Sequence, residues 1–162
     1  TSTILGTTGP DGLTGGAGNN LIDGQAGDDT INGGAGNDVI VGGIGRDRVT
    51  GGTGADVFTL KAAGESGRSP SSRDVITDFT QRQDKIDLTA IDANTTALGN
   101  QAFKLLVGNN ASFNRTAGEL AWRTDASHNQ TIVQGDVNGD GVHDFEIQLT
   151  GTVSLTASDF AL

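Results

Sequence analysis

The stretch GGAGNDVIVGGIGRDRVTGGTGADVFTL, residues 33–60, decides the fold because it repeats itself. A Gly-Gly pair recurs at 33, 42 and 51, each nine residues after the last. The same block extends back to Gly6: GTTGPDGLT, GGAGNNLID, GQAGDDTIN, GGAGNDVIV, GGIGRDRVT and GGTGADVFT. Three positions hold phase through all six. The fourth is Gly9, Gly18, Gly27, Gly36, Gly45 and Gly54; the sixth is Asp11, Asn20, Asp29, Asp38, Asp47 and Asp56. The eighth is always apolar: Leu13, Ile22, Ile31, Ile40, Val49 and Phe58. A block of this size cannot bury its single apolar side chain alone, so the blocks must stack.

The block has a direct physical reading. Its six Gly-rich residues form a turn that reaches positive φ and exposes carbonyls. Its last three alternate out, in, out, as a short strand. Stacking aligns the Asp carboxylates and the Gly-turn carbonyls in rows, and hard oxygen ligands without Cys or His select Ca²⁺. A phosphate-binding reading fails. The dinucleotide fingerprint needs a third Gly where Leu21, Val39, Arg48 and Val57 stand, and no Gly-Lys-Ser/Thr occurs. A flexible Gly linker fails too, since it would hold no phase.

Composition points the same way. The 162 residues contain no Cys, which excludes disulfides and thiolate chemistry, and the 26 Gly and only 4% aromatics argue against a conventional helix-on-sheet first half. A net charge of −10 argues against nucleic acid and anionic membrane as partners and suits a fold that binds cations. No apolar run is long enough to span a membrane. The opening TSTILGTTG lacks the basic and apolar regions of a signal peptide and is expected to be a cut inside a longer chain.

Beyond the repeats, DVITDF (74–79) and DKIDL (84–88) read as short strands, and TAIDANTTALGN (89–100) as loop with a turn of helix. FKLLVG, GELAWRT, TIVQGD and DFEIQLTG read as strands; in the last, Phe145, Ile147 and Leu149 alternate with Glu146 and Gln148. Turn signals at Asn109-Asn110, Ser127–Asn129 and Asn138-Gly139 separate them. TASD (156–159) is a candidate cap for a final helical turn.

The blocks over residues 6–59 resemble the RTX, or haemolysin-type, nonapeptide Gly-Gly-x-Gly-x-Asp-x-U-x, with U large and apolar. The resemblance implies an all-β fold: a right-handed parallel β-roll over 1–60, two blocks per coil. An antiparallel β cap over 61–162 would pack with it as one continuous module. It implies Ca²⁺ between the turns, held by the side chains of Asp11, Asp29, Asp38, Asp47 and Asp56. Backbone carbonyls of Gly33, Gly36, Gly42, Gly45, Gly51 and Gly54 would complete the sites. Asn20 in place of Asp weakens its sites, and block one, with Thr7 and Pro10, reads as an N-terminal cap. The stretch GADVFTL…ESGRSPSSRDVITDFTQRQDKIDLTAID resembles the C-terminal module of the serralysin metalloproteases, which implies that Glu65 and Asp74 close the last site. Pairing blocks two apart across six gives an expectation of about four to six ions.

DVNGDGVHDFE (136–146) offers a second metal loop: Asp136, Asn138, Asp140 and Asp144 fall at positions 1, 3, 5 and 9 of an EF-hand-like spacing. Position 12 is Ile147 where a bidentate Glu is needed, and the flanks read as strands, so a β-hairpin with Asn-Gly and Asp-Gly turn chemistry is favoured.

No catalytic constellation stands out. His128 and His143 fall in turns outside any His-Glu-x-x-His motif, and no Gly-x-Ser-x-Gly elbow occurs. Trp122 reads as a core residue. The chain is therefore expected to be a non-catalytic, monomeric module of a larger secreted enzyme. The terminal LTASDFAL resembles the uncleaved signal of type I secretion substrates, implying a Gram-negative exporter, a type I secretion apparatus as partner and an extracellular destination. GRDRVTGGTGADVF (45–58) is similar to the R-modules of mannuronan C5-epimerases. That resemblance implies an alternative, alginate or another polyuronate bound by Arg46, Arg48 and Lys61 along one face.

Overall fold

The computed structural model describes residues 1–162. Its strands are β1 Ser2–Leu5, β2 Gly12–Ala17, β3 Asn20–Asp23, β4 Thr30–Ala35, β5 Val39–Val41, β6 Arg48–Thr53 and β7 Val57–Thr59. Then follow β8 Asp74–Ile76, β9 Lys85–Asp87, β10 Lys104–Leu105, β11 Glu119–Asp125, β12 Gln130–Asp136, β13 Phe145–Thr150 and β14 Phe160–Ala161. Two sheets face each other. One has the order β1-β3-β5-β7-β9-β14 and the other β10-β11-β12-β13-β8-β6-β4-β2. Through the repeats every pairing is parallel, and each residue pairs with the one 18 positions on: Ile22 with Ile40, Ile31 with Val49. Eighteen residues are two blocks, so the chain winds one coil per pair of blocks as a parallel β-roll.

The eighth-position residues explain the winding. Ile22, Ile31, Ile40, Val49 and Phe58 are all buried, while Thr30 and Asn32 on either side of Ile31 are exposed. They line the narrow space between the sheets and continue into Ile76 and Ile86 of β8 and β9.

Three features depart from the sequence reading. Strands β2, β4 and β6 run on through the next Gly-Gly pair, so only alternate blocks confine their glycines to a turn. Without side chains these glycines let successive backbones pair closely. Block one is not the end of the roll either. Ser2–Leu5 adds a strand before it, in the same register on β3, with Ile4 packed against the core. Finally, residues 89–100 form turns with no helix, because Asp92 and Asn94 accept backbone N–H groups two residues on and hold the chain in Asx turns.

After β7 the spacing lengthens. β8 pairs with β6 at an offset of 27 residues and β9 with β7 at 28. The extra residues form the loop 61–73. The cap then extends both sheets. β13 pairs parallel with β8, β12 and β11 add antiparallel strands, and β10 pairs parallel with β11. β14 closes the other sheet on β9, after a 3-10 turn, Ala157–Asp159, capped by Thr156 and Asp159 as TASD suggested. One hydrophobic cluster runs through roll and cap, from Ile22 to Phe160. In the cap Phe145 lies over Gly135, where no side chain fits, and meets Phe103 edge-on at 5.8 Å. A buried ion pair, Arg73 to Glu146 at 2.7 Å, ties β8's entry to β13.

Gly52 has a φ of +101° and the Gly34 backbone stands where its Cβ would be, whereas Gly12 has open space around it. Gly52→Ala should lower stability by at least ~2 kcal/mol, and Gly12→Ala should leave it within about 1 kcal/mol. Urea unfolding of the two variants under identical conditions measures the difference.

Candidate metal centre

The sixth-position residues form two ladders. Oδ1 of Asp29 accepts the Asp11 N–H at 2.8 Å, and Oδ1 of Asp47 accepts the Asp29 N–H at 2.9 Å. On the other edge Oδ1 of Asp38 accepts the Asn20 N–H at 2.7 Å, and Oδ1 of Asp56 accepts the Asp38 N–H at 2.9 Å. Each carboxylate thus hooks the coil before it. The ladders end in the cap. Asp74 accepts the Asp47 N–H at 2.9 Å, and Asp84 accepts the Asp56 N–H at 3.0 Å. Asp84 is a ladder residue that the nine-residue phase did not reveal; its signal was an Asp 28 residues after Asp56. Asp78 adds a further clasp, accepting the N–H groups of Gly51 and Gly52.

The second oxygens behave differently along the ladder. Oδ2 of Asp29, Asp38, Asp47 and Asp56 is buried and meets no donor. These four side chains are at most 1% exposed. Each Oδ2 presses on the first Gly of its own block, Gly24, Gly33, Gly42 or Gly51, where a Cβ would overlap it. At Gly24 and Gly33 the carbonyls of Gly42 and Gly51, one coil on, close on the same spot. Fourth-position Gly36, Gly45 and Gly54 stack on the coil before at φ of +120°, +143° and +138°.

At the ends of the ladders this oxygen is answered. Asp11 Oδ2 accepts the Thr7 N–H at 2.6 Å and its hydroxyl at 3.0 Å. Asp84 Oδ2 accepts the Thr80 N–H at 2.8 Å. At Asn20 an amide nitrogen replaces the oxygen and donates to the Gly18 carbonyl at 2.6 Å and to Asp38 Oδ1 at 3.3 Å. An N–H donor therefore sits at the rung whose residue is neutral, and the Oδ2 atoms of the four charged inner rungs have none. Buried carboxylate oxygens facing carbonyl oxygens repel unless a cation lies between them. The donor set, carboxylate and carbonyl oxygen only, fits Ca²⁺. No three Asp, Glu or His side chains gather at one point, since the ladders spread one carboxylate per rung, so carbonyls must supply the rest.

Burial pushes these acids up. Asp47 rises to about 6 and Asp74 to about 8, both chiefly through desolvation, with neighbouring carboxylates adding to it. Asp29, Asp56 and Asp84 shift upward for the same leading reason. Glu65 is among the charges that raise both Asp47 and Asp74, which places it beside that end of the ladder; its Oε2 accepts the Lys61 N–H at 2.7 Å.

The loop at 136–146 is built otherwise. Asp136 Oδ1 accepts the N–H groups of Asn138 and Gly139, and its Oδ2 accepts that of Gly141. Asp144 accepts from Val137 N–H and the Asn138 amide, and Asp140 from Val142 N–H. Asx-type turn bonds occupy its carboxylates at the tip of the β12–β13 hairpin. The three predicted cations stand in different surroundings. Arg48 points outward from β6, Lys61 pairs with Asp23 at 2.7 Å, and Arg46 borders a cleft between the roll and the cap.

Residues 12–162 match the family model of the peptidase M10 serralysin C-terminal region. The chain belongs to the serralysin C-terminal family. It is thereby an RTX-type β-roll module of a calcium-binding family. Among solved structures it is similar to the AlgE6R3 subunit of the Azotobacter vinelandii mannuronan C5-epimerase, at 31% identity and a TM-score of 0.68 over 96% of this chain and 80% of that one. It is also similar to the AlgE6R2 subunit of the same enzyme, at 29% identity and a TM-score of 0.69 over 97% and 90% of the two chains. No curated protein matches it. No helix is long and apolar enough to cross a membrane.

The raised acids give a sign to the pH dependence of the metal-free module. A folded-state pKa above the ordinary 3.8 means the folded form holds protons that the unfolded form releases. Its stability is then greatest below 3.8 and is lost as pH rises through about 6 for Asp47 and about 8 for Asp74. Metal-stripped protein should gain β signal in far-UV circular dichroism as pH falls from about 9 to about 5, the window these shifts define. With Ca²⁺ present the trend reverses, since protons compete for the same oxygens and the Ca²⁺ midpoint rises in acid. A metal-free signal that is flat across this range contradicts the assignment.

Proposed function

We propose that this chain is a non-catalytic, calcium-folded module serving an upstream domain of a protein exported by a type I apparatus from a Gram-negative bacterium. The observation that carries this reading is the run of four buried carboxylate oxygens without donors, at Asp29, Asp38, Asp47 and Asp56, between rungs that have them. These four side chains hold Ca²⁺, with carbonyls of the Gly turns at Gly33, Gly36, Gly42, Gly45, Gly51 and Gly54 completing the shells. Asp74 and Glu65 close the last site. Asp11 and Asn20, already satisfied, bind weakly, so the count falls at the lower end of about four to six.

Bound Ca²⁺ supplies the charge that the inner rungs lack. At low calcium the repelling carboxylates keep the repeats open, a form suited to a narrow channel. Outside the cell, at about 10⁻⁴–10⁻³ M Ca²⁺, binding free energy becomes folding free energy. The terminal LTASDFAL is then an export signal in the open chain. In the folded one it is the 3-10 turn Ala157–Asp159 leading into β14, where Asp159 accepts the N–H groups of Arg82 and Thr156.

The β signal in far-UV circular dichroism should be largely absent in chelator and complete at about 10 mM Ca²⁺, well above the range of weak extracellular sites. Asp38→Asn should raise the Ca²⁺ midpoint and remove an ion, because its amide satisfies the rung as Asn20 does. Asn20→Asp should add one. Equilibrium dialysis counts the ions; equal β signals with and without Ca²⁺ sink the reading.

The similarity to the epimerase subunits favours a second reading, recognition of a polyuronate such as alginate through Arg46, Arg48 and Lys61. A heat of binding on titration with oligomannuronate in saturating Ca²⁺ separates it from a purely folding role.

A further inference from the structure

Between the roll and the cap lies a cleft of about 490 Å³ lined by Arg46, Pro70, Arg73, Arg123, Asp125, His128, Gln130 and Gln148, with no apolar side chain other than the proline ring. In a chain of net charge −10, three of the ten Lys and Arg residues converge here, with one of the two His. An acidic protein that gathers its scarce cations in one polar hollow concentrates positive potential there.

The three arginines stand differently. Arg73 is fixed: its side chain is 4% exposed, it pairs with Glu146 at 2.7 Å, and it donates to Gln148 Oε1 at 2.9 Å and Gln130 Oε1 at 3.3 Å. Those bonds turn both glutamines to present acceptors to Arg73, leaving the Gln148 amide N–H₂ free of protein partners, whereas Gln130 Nε2 donates to Asp125. Arg123 is 39% exposed and has only a long contact, 3.9 Å, to Glu146, whose charge Arg73 already answers. Arg46 enters none of the ion pairs of the chain. The one carboxylate facing the cleft, Asp125, is engaged by Ser127, Gln130 and His128, the last at 2.7 Å.

The backbone holds the walls in place. Arg46 and Arg73 immediately precede Asp47 and Asp74, which are joined by the ladder bond between Asp74 Oδ1 and the Asp47 N–H. The Arg46 N–H is itself clasped by Asp28 Oδ1 at 2.9 Å. One wall of the cleft is thus set by the roll and the other by β11, β12 and β13 of the cap.

We propose that this cleft is an oxyanion-binding site, in which the guanidinium groups of Arg46 and Arg123 grip a carboxylate or a tetrahedral oxyanion while Arg73, already paired, sets the floor. Planar guanidinium donors suit bidentate oxyanion recognition. The site deepens the polyuronate reading if its ligand is the carboxylate of a sugar chain, but it does not depend on that reading. Its residues differ from those read along the repeat, sharing only Arg46.

The test is calorimetry on the whole chain in saturating Ca²⁺, with circular dichroism confirming each variant is folded. The probes are a mannuronate trisaccharide and, separately, sodium sulfate. At least one should bind saturably, with affinity falling tenfold or more in Arg46→Ala/Arg123→Ala and unchanged in the charge-matched control Lys85→Ala/Lys104→Ala, two exposed lysines outside the cleft. Trisaccharide binding alone assigns a polymer carboxylate, and sulfate binding assigns a free oxyanion. Trisaccharide binding that the double variant leaves intact overturns the cleft and keeps the polyuronate reading. Sulfate binding lost in the double variant with no trisaccharide binding does the reverse. No saturable binding of either probe overturns both.

Discussion

One hydrogen bond recurs through this molecule and the rest depends on it: a ladder carboxylate accepting the N–H of the residue one coil earlier. It fixes the 18-residue pitch at the turns, where the glycines could otherwise wander. It also orients each carboxylate, so that one oxygen is spent on the backbone and the other is driven into a buried space against a glycine. Structure and metal affinity therefore come from the same side chain. A carboxylate placed for the first purpose is left, by geometry, with an unanswered charge.

The apolar core alone is a weak counterweight. Each coil contributes about one large side chain per sheet, and the walls are glycines that bury little area. The cap supplies what the repeats lack: Phe145 on Gly135, Phe103 against it, Trp122, and the buried Arg73–Glu146 pair. Removing one member of such a pair leaves an uncompensated charge, which makes the junction specific as well as closed.

The period, the inward apolar position and the ligand class were legible in the sequence because each recurs in phase. The cap strands β11 to β13 were legible through alternation and turn residues. What escaped notice lacked the repeat's marks. Ser2–Leu5 carries Ile4 at the eighth position but Ser2 at the sixth, where the other blocks have Asp or Asn. Asp84 lies 28 residues from its partner, outside any multiple of nine. Arg46 was visible as a charge beside a turn, yet Arg123 of β11 and His128 of the turn after it, which share its cleft, lie more than 70 residues away. FKLLVG gave only the two residues Lys104–Leu105, since the strand it joins is itself the last of the antiparallel set.

The ladder also has a direction. Every hooked amide belongs to a coil, and its acceptor to the coil that follows, so Asp74 and Asp84 of the cap anchor both rows. A coil lost from the amino-terminal side takes only its own donors with it. Loss of the cap strips acceptors from Asp47 and Asp56 and releases the rows behind them in turn. The roll is accordingly a zipper with its slider at the carboxyl end, and its length can be extended or trimmed at the other end without resetting the closure.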